Sequence, residues 1–66
     1  MKFNIYKLKA AHPQYQPDAE IIIAHSCPSK AYELAEEVTN CALDIVQTLG
    51  EKEIDAPQII SNTFKK

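Results

Sequence analysis

A chain of 66 residues allows one domain, and its core is marginal, because a chain this short buries only about 60% of its unfolded surface. The 45% hydrophobic content excludes wholesale disorder, and a single glycine excludes a loop-dominated or repetitive chain. The net charge is −2, and every cationic side chain is lysine; without arginine, the usual bidentate reader of guanine and phosphate, duplex DNA is disfavoured as a partner.

In chain order, Lys2–Ala10 reads as a first strand, with Tyr6, Leu8 and Ala10 alternating against Lys7 and Lys9. Phe3 and Ile5 are apolar on the opposite parity. Either a bulge shifts the register between Ile5 and Tyr6, or both faces of the strand are partly buried. The same segment has no continuous apolar stretch of the kind a secretory signal carries. Residues 21–24 form the longest apolar run, far below the ~20 residues that span a bilayer. The expectation is a cytoplasmic chain with no membrane association.

Residues 11–18 hold two prolines and two glutamines and read as a loop longer than a tight hairpin needs. Residues 19–25 contain Ile21, Ile22 and Ile23 in succession, a β-branched run expected of a second strand buried on both faces.

Residues 29–49 read as one long amphipathic helix. Ala31, Leu34, Ala35, Val38, Cys41, Ala42, Ile45, Val46 and Leu49 fall within an arc of about 140° at 100° per residue. Glu33, Glu36, Glu37, Asn40, Asp44 and Gln47 take the other side, and the three glutamates lie in the half that the helix dipole favours. Ser26, Pro28 and Ser29 suit the cap or first turn, and Gly50 suits a C-terminal stop. After a polar segment, residues 58–64 read as a third, weaker strand, with Pro57 at its start or edge.

The expected fold class is therefore α+β, a ββαβ order with one long helix packed on a three-stranded, mainly antiparallel sheet. A crossover from second to third strand over the first puts the first strand in the middle; third beside second is the alternative. One helix covers one face of such a sheet. Ile21 and Ile23 point one way and Ile22 and Ala24 the other, so some apolar side chains lie on the face the helix does not reach. Phe3, Ile5, Ile22 and Ala24 are the expected contact residues, joined by Tyr32 and Leu43 at the margin of the helical arc. Self-association follows as the expectation, with a further protein partner as an extension.

Three constellations bear on chemistry. His25 and Cys27, two apart at the junction of strand and helix, are the weak catalytic candidates: a thiol at a helix N-terminus gains thiolate character, and an imidazole beside it is a base. No CxxC partner and no residue to orient the histidine accompany them. His12, His25, Cys27 and Cys41 are the possible metal ligands, at spacings that match no zinc ribbon or finger, so no metal and no cofactor are expected. Fourteen residues and a helix separate the two cysteines, which puts them roughly 20 Å apart and out of disulfide range. Glu33, Glu36 and Glu37 read as a solvated face. Phe3, Lys7 and Lys9 share a strand face, with Lys65 and Lys66 after the last strand, an arrangement some single-strand nucleic-acid binders use. One aromatic and a negative net charge argue against it.

The layout of residues 21–49, a strand, a short turn and a helix of SKAYELAEEVTNCALDIV type, resembles the partial RNase H-like module of HicB-type antitoxins. The glycines that family carries before its helix are replaced here by residues 25–29, and no function transfers on a pattern alone. The functional expectation is a small non-catalytic interaction module acting as a homo-oligomer. A thiol-dependent enzyme or redox protein using Cys27 with His25, and a single-strand nucleic-acid binder using the Phe3/Lys7/Lys9 face, are the alternatives.

Overall fold

The computed structural model describes residues 1–12, 14 and 16–64, and orders β1 (Lys2–Ala10), β2 (Glu20–His25), α1 (Pro28–Thr39), β3 (Leu43–Glu53) and β4 (Gln58–Asn62). The four strands form one antiparallel sheet in the order β3-β1-β2-β4, with α1 against one face. The class is α+β as expected, but the sheet has four strands in place of three and the helix is short. Lys65 and Lys66, Pro13 and Tyr15 lie outside the described residues.

The helix begins where it should. Cys27 takes the N-cap with extended backbone and no side-chain cap bond, and Pro28 takes the first turn, where its missing N–H costs nothing. It stops at Thr39, ten residues before Leu49. Asn40 turns left-handed, at φ 56° and ψ 33°, and its N–H closes on the Glu36 carbonyl at 2.8 Å. The Thr39 hydroxyl, buried, donates to the Ala35 carbonyl at 2.8 Å. Glu36 and Glu37 therefore sit in the last turn, where the dipole disfavours them, and not in the first half of a longer helix.

Residues 43–53 pair with β1 over its whole length. Two irregularities explain why they read as helix. Ile5 stands opposite Gly50 and Tyr6 opposite Thr48, which leaves Leu49 extra; Lys7 stands opposite Gln47 and Leu8 opposite Ile45, which leaves Val46 extra. Each bulge adds a residue to the strand's alternation, so Leu43, Val46 and Leu49 recur every third position and imitate a helical stripe. Gly50, at φ 124°, supplies backbone freedom beside a bulge and does not stop a helix.

The register slip between Ile5 and Tyr6 is thus real, but the extra residue belongs to β3. Both faces of β1 are also partly buried. Tyr6 and Leu8 join Ile21 and Ile23 of β2, Ala31 and Ala35 of α1, and Leu43 in the core beneath the helix. Phe3, on the other parity, is only 5% exposed, and Ala24 is fully buried. The face away from the helix is consequently less bare than expected.

β1 does lie in the middle, flanked by β2 and β3, so the two strands joined through α1 run parallel to each other. The segment read as a third strand is β4 and takes the alternative place, beside β2 within the same chain. Residues 54–57 cross the end of the sheet, with the Ile54 N–H donating to the Met1 carbonyl at 3.0 Å. At the other end Thr63 clasps Glu20: its hydroxyl accepts from the Glu20 N–H at 2.8 Å and lies 3.1 Å from the Glu20 carbonyl.

Candidate interaction surface

The described large apolar side chains that stay exposed in strands all lie on the two outer strands. Val46 and Leu49 on β3 are 52% and 44% exposed, and Ile59 and Ile60 on β4 are 37% and 41% exposed. Three of these four are bulge residues: Val46 and Leu49 against β1, and Ile60 where the β2–β4 register slips between Ile22 and Ile23. A bulge residue has no partner opposite it, so its side chain is left without a cross-strand neighbour. An apolar residue in such a place is a cost to an isolated chain and a contact for anything docked on the edge.

The two edges differ in charge. β4, QIISN, carries none; β3 carries Asp44, Glu51, Lys52 and Glu53. Asp44 is tied to the helix by the Tyr32 hydroxyl, which donates to Oδ1 at 2.8 Å. That hydrogen bond, followed by partial desolvation and the negative charges of Asp44 and Glu36, holds the Tyr32 phenol above its usual value.

Of the residues expected at a contact, Phe3, Ala24 and Leu43 are buried inside the chain, and Ile5, Ile22 and Tyr32 are half-buried. Val46, Leu49, Ile59 and Ile60 are the exposed apolar set that the periodicity did not single out. Val46 and Leu49 were hidden in the helical stripe.

His25 and Cys27 do not form an evident pair. The His25 Nδ1 accepts from the Ser26 N–H at 2.9 Å and lies 3.3 Å from the Ser26 hydroxyl, so that lone pair is engaged within the turn. Both cysteines are free. Of the four possible ligands, His12 and Cys41 come together, lining a cavity of about 240 Å³ with Ala10, Asn40 and Ala42 at the C-terminal end of α1. His25 and Cys27 lie at the other end of the helix. Among the described residues no group of three His, Cys, Asp or Glu is placed to hold a metal ion. The nucleic-acid face has lost its aromatic, since Phe3 is buried, and the Lys7 ammonium is 3.3 Å from the Glu20 carboxylate. No described helix is long and apolar enough to cross a membrane.

No protein-family model, curated protein or solved structure matches the chain. The likeness to the HicB-type module rests on a stretch whose last seven residues, from Leu43, are strand and not helix.

Proposed function

We propose that this chain is a small non-catalytic interaction module that works as a homo-oligomer, associating through an outer edge of its sheet. The observation that supports this is the placing of Val46, Leu49, Ile59 and Ile60, large and exposed, on β3 and β4. Natural sheets blunt their edges with charge, proline or short strands, and leave apolar side chains there where something covers them. The placing of His25 and Cys27 adds nothing to the thiol-dependent alternative.

Sedimentation velocity from low to high micromolar concentration tests the reading. The expected result is a concentration-dependent dimer that Val46→Lys with Leu49→Lys, or Ile60→Lys, disperses to monomer while circular dichroism keeps its shape. A wild-type chain that stays monomeric throughout the range overturns it.

A further inference from the structure

Resting on that reading, we propose that the contact is made by β3 of one copy lying antiparallel against β3 of a second, about a two-fold axis at Thr48. β3 is an outer strand and runs for 11 residues, against 5 for β4, so its edge offers the longer ladder.

Charge sets the register. A two-fold at Thr48 places Asp44 of each copy opposite Lys52 of the other, giving two opposite-charge pairs. A slip of one residue sets Asp44 against Glu51 or Glu53, which by register stand opposite Asn4 and Lys2 on the other face, and a slip of two, which keeps the faces matched, sets Asp44 opposite Gly50 or Ile54 and loses both pairs. The pairing also needs Asp44 and Lys52 on the same face. By register they stand opposite Lys9 and Phe3 of β1, which share a parity, because the two bulges between them cancel. A single bulge would have put them on opposite faces.

Shape agrees. The same two-fold sets Val46 opposite Gly50, and a Cβ built on Gly50 would meet nothing within 4 Å. The Val46 side chain of the second copy has open space to enter. β4, without charge, fixes no register of this kind.

The test is a charge swap read by sedimentation. Asp44→Lys and Lys52→Asp each turn two attractive pairs into two repulsive ones and weaken association about tenfold; the double variant recovers to within about threefold of wild type. Tyr32 loses its acceptor in both Asp44→Lys and the double variant, so recovery belongs to the pair. A second measurement places Thr48→Cys in a Cys27→Ser, Cys41→Ser background. Residues facing across such an axis have Cα atoms ~4.5–5.5 Å apart, within disulfide range, so oxidised glutathione yields a covalent dimer. Association with no recovery in the double variant, or a covalent dimer from Ile60→Cys in place of Thr48→Cys, overturns the β3 pairing and leaves self-association standing. A strictly monomeric wild type overturns both.

Discussion

The bond between Tyr32 and Asp44 joins a side chain of α1 to the outer strand through a titratable pair. Its pH behaviour follows from the sign of the shift. Tyrosine is neutral when protonated, and the folded chain holds the Tyr32 proton more tightly than the unfolded chain, whose phenol titrates near ~10. Between the two values the folded state binds more protons, so stability falls as pH rises. The contribution is full below about pH 10 and is lost as pH climbs through the raised value. Wild type should therefore exceed Tyr32→Phe in urea-unfolding free energy below that point and converge on it above. In Asp44→Asn, which keeps an acceptor and removes the charge, the phenolate band should appear at lower pH than in wild type. An unchanged absorbance titration in that variant would show that Asp44 does not govern Tyr32. The bond lies at the surface of the chain, so the effect is a difference between variants and not a determinant of the fold.

At the scale of elements, Asn40 decides how much of the chain is helix. Its left-handed backbone suits asparagine and glycine, and costs an alanine about 1–2 kcal/mol. Asn40→Ala should destabilise the domain by roughly 1 kcal/mol, and Asn40→Gly should leave it nearly unchanged. The sign is diagnostic, since in a helix running to Leu49 the alanine would stabilise by up to about 0.7 kcal/mol. Urea or thermal unfolding of the two variants separates these outcomes. The same residue shows where the sequence was legible. β1, the isoleucine run of β2 and the proline-led helix start were readable because local pattern and tertiary role agree there. The helix end was not, because the stop is one asparagine in place of the expected glycine, and the bulges at Val46 and Leu49 give β3 a three-residue spacing. The β-branched Ile45, Val46 and Thr48 were the available signal for strand. Val46 and Leu49, the β3 residues of the proposed contact, were counted in the core stripe for the same reason. Phe3 and Ala24, conversely, are buried on a face where one helix alone would have left them open.

For the whole molecule, the question is how so small a core holds. The buried set under the helix is short, and the helix contributes mainly alanines to it. Total stability on the order of 0.05–0.15 kcal/mol per residue amounts to about 3–10 kcal/mol for a chain of this length. Leu8, fully buried on the central strand, would cost about 2–5 kcal/mol as alanine, a large share of that total. Covering the β3 edge with a second copy stabilises only the folded state, and by mass action ties stability to concentration. The melting temperature of wild type should then rise with protein concentration, by an amount corresponding to roughly 1.6 kcal/mol per chain once total protein is about a hundredfold above its dissociation constant, where free monomer is the ligand. Leu8→Ala should melt far lower at every concentration yet keep the same upward trend, because the substitution leaves the edge intact. Asp44→Lys should flatten the trend instead. Differential scanning calorimetry across a wide concentration range distinguishes the two. A wild-type melting temperature that does not move with concentration would mean that the core under α1 is sufficient alone, and that the apolar edges serve some other contact.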